Sequence, residues 1–223
     1  IPVNTANRAE RERRFFDLSR DLLTREFYTK TACVTARRML GSILTRRSPE
    51  GETSGIIVET EAYAGSGDAA CHSYKRLSDV PGHRTHVMFG PGGYAYVYRI
   101  YGMYDCFNVT ANAPGFPEAV LIRALEPTAG IPLMRLRRGK EPLKSLCSGP
   151  GKLCIALGIT RDDYGRDLCG DELFIEHGEM VPDGMTAATR RINVDYAGEA
   201  SLYPYRFVIR DSPYLSTRRY IAE

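Results

Sequence analysis

No apolar run in this 223-residue chain approaches the roughly 20 residues needed for a helix to cross a bilayer, so no membrane partner is expected. Cys-x-x-Cys pairs are missing too. Cys33, Cys71, Cys106, Cys147, Cys154 and Cys169 are scattered, which points to reduced thiols in a cytosolic or nuclear protein rather than a disulfide framework. Histidine is scarce. Cys71-His72 with His83 and His86 matches no established zinc spacing, so no metal ligand set is expected. The H-x-E element with a downstream P-C-x-x-C, which zinc nucleobase deaminases need, is absent. The chain also has no internal repeat, no low-complexity tract and no linker that would separate two domains. It begins at Ile1 without methionine or an apolar signal core, which leaves a trimmed targeting segment open. An excess of charge of one sign is lacking: the net is only +3, which by itself does not demonstrate a nucleic-acid partner.

What is present is enough for a packed core, with 43% hydrophobic and 26% charged residues. Basic residues bunch at Arg11–Arg14, Arg37-Arg38, Lys75-Arg76 and Arg135–Lys140. Residues 9–25 carry an apolar stripe at helical spacing (Phe15, Phe16, Leu18, Leu22, Leu23), and a second helix over 31–40 would stop at Gly41. Strands are predicted over 43–47 and 55–63, then a glycine-rich loop over 64–93, then strands over 94–100 and 104–110. A further strand over 119–125 ends at Pro127. Helices follow over 128–138 and 148–158, and short strands over 172–177, 190–194 and 205–210. Hairpin-joined strands with flanking helices read as one α+β domain: a curved, mainly antiparallel sheet with a protruding aromatic β-hairpin. Its bounds are 26–223, with residues 1–25 as an N-terminal helix packed on it.

Five of the fourteen tyrosines fall within Tyr94-Ala-Tyr-Val-Tyr-Arg-Ile-Tyr-Gly-Met-Tyr104. Tyr94, Tyr96 and Tyr98 alternate as strand residues do and share a face. Tyr101-Gly102-Met103 would form an exposed tip. Such a ribbon either packs on its own core or offers flat rings to a nucleobase, whose stacking contributes roughly 1–3 kcal/mol. In the 55–63 strand, Ile57, Glu59, Glu61 and Tyr63 are expected on one face. A carboxylate directed inward must be paired or functional, so Glu59 or Glu61 either meets an arginine such as Arg123 or serves as a general base. His72 stacks, donates a hydrogen bond or does neither. Asn108, in an otherwise apolar strand, needs a hydrogen-bond partner. Lys152 at a helix start is either solvated, a phosphate contact or a Schiff-base amine.

Four strings, in this order, carry a specific likeness: Ile57-Val-Glu-Thr-Glu-Ala-Tyr63, the tyrosine ribbon 94–104, Leu121-Ile-Arg-Ala-Leu-Glu-Pro127 and Cys147-Ser-Gly-Pro-Gly-Lys-Leu-Cys154. Over residues 26–215 the chain resembles the alkyladenine (3-methyladenine) DNA glycosylase family of base-excision enzymes. The resemblance implies a monofunctional hydrolase that flips alkylated or deaminated purines from duplex DNA and leaves an abasic site. It implies no cofactor.

Residue by residue, the resemblance makes Glu61 the base that polarises water. Tyr63, His72 and Tyr98 would enclose the flipped base, and the backbone of Ala70 and His72 would read its edge. Asn108 would exclude guanine through its exocyclic amine, and Arg123 would stand near the pocket. Tyr101 would enter the minor groove, with Gly102 and Met103 beside it, and Arg84 and Thr85 would contact DNA. The loop between Ser73 and Met88 departs from the family pattern: it is longer than in the human relative and carries His83 and His86. Implied partners are duplex DNA with damaged purines and a downstream abasic-site endonuclease, the enzyme itself acting as a monomer. The location would be cytoplasmic at the nucleoid in a bacterium and nuclear in a eukaryote. Two rivals are a non-catalytic binder of damaged DNA or RNA, and a bifunctional glycosylase/lyase using Lys152.

Overall fold

The computed structural model describes residues 20–139 and 141–221. The first element is a single helical turn, α1 (Arg25–Tyr28), followed by α2 (Ala32–Arg38). Most of the helix expected over 9–25 lies outside the described residues. Its last part is not helical, because Leu22 and Leu23 run extended and Leu23 N–H donates to Ile175 O at 2.8 Å. The apolar stripe at helical spacing is overridden there by an open strand edge.

Strands β1 (Ile43–Ser48) and β2 (Gly51–Tyr63) form a hairpin. β3 (Ala95–Ile100) and β4 (Tyr104–Ala111) form the aromatic hairpin, and β5 (Glu118–Ala129) pairs with both β4 and β2. Then come α3 (Ile131–Arg138), α4 (Leu143–Leu146) and α5 (Pro150–Leu157), followed by β6 (Leu173–Glu176), β7 (Thr186–Thr189) and β8 (Arg206–Ile209). All eight strands lie in one antiparallel sheet ordered β3-β4-β5-β2-β1-β6, with β8 on the second half of β2 and β7 on β8. The 13-residue β2 is long enough to serve β5 along one edge and, along the other, β1 and β8 in succession.

Two strand expectations are corrected. β5 runs through Pro127 to Ala129, since β4 flanks it only over Glu118–Leu121 and a missing N–H is tolerated where a strand has one ladder neighbour. Residues 190–194 are not a strand. The extended segment ends at Thr189, Arg191 turns into the interior, and Asn193 takes a left-handed φ of 59°.

Period-two alternation assigns the two sheet faces. Ala95, Val97, Phe107, Val109, Val120 and Ile122 join Ala36 and Met39 on and after α2, and Leu153 and Leu157 of α5, in the main core. Tyr96, Tyr98 and Asn108 therefore point to the other face. In β2 the alternation slips: Ile57 pairs with Leu125 but Glu59 with Ala124, so Val58 is an unpaired bulge residue. Consequently Ile57 joins the main core with Ala62 and does not share the face of Glu61 and Tyr63, correcting the expected register. Gly130 starts α3 at φ 69°, and a Cβ there would collide with the backbone oxygen of Glu52, so only glycine makes this entry.

Candidate active site

On the face turned away from the main core, β2 and β5 bury a charged network. Glu59 accepts from Arg123 Nε at 2.9 Å, Arg206 Nε at 2.8 Å, Ser216 N at 2.7 Å and Ser216 Oγ at 2.8 Å. Burial pushes its carboxyl up, but Arg123 and Arg206 outweigh that and hold it below the usual range. Arg123 bridges onward, its Nη1 lying 3.3 Å from Glu61 Oε2. Burial alone would lower the Arg123 pKa, yet Glu61 and Glu59 raise it. Glu61 is fully buried. Its Oε1 accepts from Ile192 N–H at 2.7 Å and its Oε2 from the Tyr63 hydroxyl at 2.9 Å. The arginine contact expected of Glu59 or Glu61 is made by both, through Arg123. Glu59 is a structural ion-pair acceptor, while Glu61 touches the arginine from the side nearer the aromatic residues.

Beside Glu61 lies a cavity of about 40 Å³ lined by Tyr63, Ala70, Cys71, His72, Met88, Tyr96, Tyr98, Asn108, Ala119 and Tyr196. Glu61 and Arg123 are not in its wall; Tyr63, whose ring lines it and whose hydroxyl meets Glu61, connects the two. His72 stands edge-on to Tyr98 with ring centroids 4.6 Å apart, and its Nδ1 is 2.8 Å from the Tyr96 hydroxyl. Burial, helped by the Arg84 charge, lowers the His72 pKa to about 4, so the imidazole is neutral at physiological pH. The tyrosine hydroxyls stay protonated, Tyr63 and Tyr98 being pushed upward chiefly by burial. Asn108 donates through Nδ2 to the carbonyls of Tyr96 at 3.0 Å and Cys106 at 3.3 Å, and the residue lines the cavity. Tyr94 stays apart, its ring under Arg25 at 4.4 Å.

The hairpin tip projects from this site. Tyr101 (φ 53°) and Gly102 (φ 70°) are both left-handed, and Met103 N–H closes the turn on Ile100 O at 3.2 Å. Tyr101 is 74% exposed and Met103 69%. Arg84 is exposed, and its charge reaches His72 and Tyr96. Thr85 corrects its expected surface role: it is buried, its hydroxyl 2.8 Å from His83 Nδ1. His83 also receives Arg76, and His86 pairs with Asp79, so the four candidate zinc ligands do not converge; among the described residues no group of three or more ligand side chains does. Lys152 is exposed on α5 and lines no part of the cavity.

Sequence reasoning overlooked several contributors, Tyr196, Ile192 and Arg191 among them. Tyr196 lines the mouth, with its hydroxyl 3.4 Å from Ala70 O. Ile192 supplies the N–H on Glu61, and Arg191 is buried against Asp68. An exposed aromatic in the glycine-bearing stretch Asp195-Tyr-Ala-Gly198 was the available signal for Tyr196. A backbone donor such as Ile192 leaves none.

A family profile described as methylpurine-DNA glycosylase matches residues 26–213. A protein of Alkaliphilus oremlandii is 43% identical over 205 residues, covering 88% of this chain and 99% of its own. One from Methanocella arvoryzae is 46% identical over 199 residues, covering 88% and 96%. One from Bacillus cytotoxicus is 45% identical over 204 residues, covering 85% and 97%. All three bear the name "Putative 3-methyladenine DNA glycosylase".

Proposed function

The chain belongs to the methylpurine-DNA glycosylase family, and from that premise we propose that it everts an alkylated or deaminated purine nucleotide from duplex DNA and hydrolyses the N-glycosidic bond with a water held by Glu61. The observation that carries this reading is the placement of the Glu61 carboxylate one hydroxyl behind an aromatic cavity, at 2.9 Å from Tyr63. A carboxylate has about four lone-pair sites. The N–H of Ile192, the Tyr63 hydroxyl and Arg123 occupy three of them, leaving acceptor capacity for a water.

Extrusion of a stacked nucleotide costs a few kcal/mol. Tyr101 offsets part of this by filling the vacated stack from the minor-groove side, as wedge residues do. The backbone at Tyr101 supports that role. An aromatic residue at positive φ carries strain of roughly 1–3 kcal/mol, and here the strain serves to project a ring that packs on almost nothing. The cavity of about 40 Å³ is far short of the roughly 150 Å³ that takes up a benzene-sized ring, so base entry parts Tyr63 from His72 and Tyr98. These rings then stack on the base. A purine alkylated at N3 or N7 is cationic and gains a cation–π attraction. As the bond breaks, positive charge develops at the sugar, and the Glu61 side chain stabilises it while orienting water toward C1′. Asn108, fixed by two backbone carbonyls, blocks the exocyclic amine of guanine by occupying its space. Among the described residues no lysine lines the cavity, which supports hydrolysis to an intact abasic site, left for a separate endonuclease, over attack by an amine.

The test is incubation with duplexes bearing 3-methyladenine, 7-methylguanine, hypoxanthine or ethenoadenine, followed by hot-alkali cleavage. Glu61→Gln is expected to lose excision by about 10²–10⁴-fold, the usual worth of a general base, while still binding lesion DNA. Normal single-turnover rates in that variant would remove Glu61 from the chemistry. Failure of the unsubstituted protein to release any base would leave the binding-module reading instead.

A further inference from the structure

Arg191 and Asp68 form a buried pair to which nothing above gives a function. Nη1 lies 2.5 Å from Asp68 Oδ2 and Nη2 lies 2.9 Å from Oδ1. The same two nitrogens donate to Ala62 O and Ala200 O, each at 2.9 Å. Asp68 in turn accepts Ala64 N–H and Ala70 N–H, each at 3.0 Å. The guanidinium carbon stands 4.9 Å from the centre of the Tyr63 ring and 5.3 Å from that of Tyr205, and Nε is buried with no hydrogen-bond partner.

The segments it gathers are those that carry the site. Ala62 lies between Glu61 and Tyr63. Ala70 precedes His72 by two residues. Ala200 belongs to the 3-10 segment Asp195–Leu202 that presents Tyr196. The residue after Arg191, Ile192, donates its N–H to Glu61. A buried ion pair is a weak source of stability, and an unmade buried N–H is a cost, so the arrangement is not explained as a stability device. It is explained as a placement device, since the planar fork fixes several acceptors at once.

We propose that Arg191 and Asp68 are positioning residues for base excision, setting the Ile192 N–H on Glu61 and backing the Tyr63 ring against which the everted base stacks. The proposal rests on the assignment of Glu61 and Tyr63 above. Lysine at 191 would retain charge without the fork. Asparagine at 68 would retain size while removing one leg of the pair.

Arg191→Lys and Asp68→Asn are each compared with the unsubstituted protein in three measurements. These are the single-turnover excision constant on a hypoxanthine duplex per titrated active site, the affinity for a duplex with a stable abasic analogue, and the fluorescence change of an ethenoadenine duplex on base entry. The expected result is a fall of about 100-fold in the excision constant, the scale of a catalytic group displaced by an ångström. Abasic-duplex affinity is retained and the ethenoadenine signal is weakened. An unchanged constant per active site, with only fewer active molecules or a lower melting temperature, would overturn the proposal and leave a structural pair. If Arg191→Lys does not fold, Asp68→Asn carries the test alone. An unsubstituted protein that excises nothing would overturn the parent assignment as well, whereas an active one with unaffected variants overturns only this proposal.

Discussion

Glu59→Gln keeps the size of the side chain and removes one charge from beneath two arginines. Glu59 is fully buried and accepts four hydrogen bonds, from Arg123, Arg206 and the backbone and hydroxyl of Ser216. Removing one partner of a buried ion pair costs about 3–5 kcal/mol. The lower end is expected here, because Arg206 also donates to Thr189 Oγ1 and to the carbonyls of Arg219 and Thr217, and Arg123 still meets Glu61. For a chain of this size each kcal/mol moves the melting temperature by about 2–4 °C, giving a fall of roughly 6–12 °C at neutral pH. The pH dependence has a definite sign. The folded carboxyl sits below its ordinary 4.5, so its stabilisation is complete above pH 4.5 and is lost as pH falls through the lowered value. The gap between the two proteins should therefore close in acid. Urea unfolding at neutral pH and below pH 4.5 reads both effects. A neutral-pH loss under about 1 kcal/mol, the worth of an exposed pair, would refute the argument that this network is desolvated and interdependent. Excision should fall too, because Arg123 freed from Glu59 leans onto Glu61.

Tyr101→Ala should leave the melting temperature unchanged, since the ring is 74% exposed, but should weaken lesion binding by the roughly 1–3 kcal/mol of one stacking contact; titration of an ethenoadenine duplex measures it, and unchanged affinity would mean the tip is not a wedge. His72 has its pKa lowered to about 4 from 6.5, so folding stability is fully present above pH 6.5 and declines as pH falls toward 4. His72→Gln should flatten that decline in thermal melts taken across the interval, and an unaltered slope would show that the imidazole is not desolvated.

The sequence alone determined the parts of this protein that depend on local rules. Alternation in Tyr94–Tyr104 and Tyr104–Ala111 separated Val97, Phe107 and Val109, which enter the main core, from Tyr96, Tyr98 and Asn108, which line the cavity. Gly102 in the ribbon marked the turn, and the four ordered strings pointed to the family. These signals are legible because a strand's period and a turn's φ requirement act over a few residues.

Tertiary structure decided the rest. Val58 of β2 and Arg123 of β5 are both left out of the ladder between these strands, and this local irregularity puts Ile57 on the opposite face from Glu61. Leu22 and Leu23, spaced for a helix, run extended because β6 presents an open edge. Ile192 reaches Glu61 across 131 positions, and Arg191 reaches Asp68 across 123. A buried charge takes whichever partner folding brings within about 3 Å, and no spacing along the chain encodes that choice.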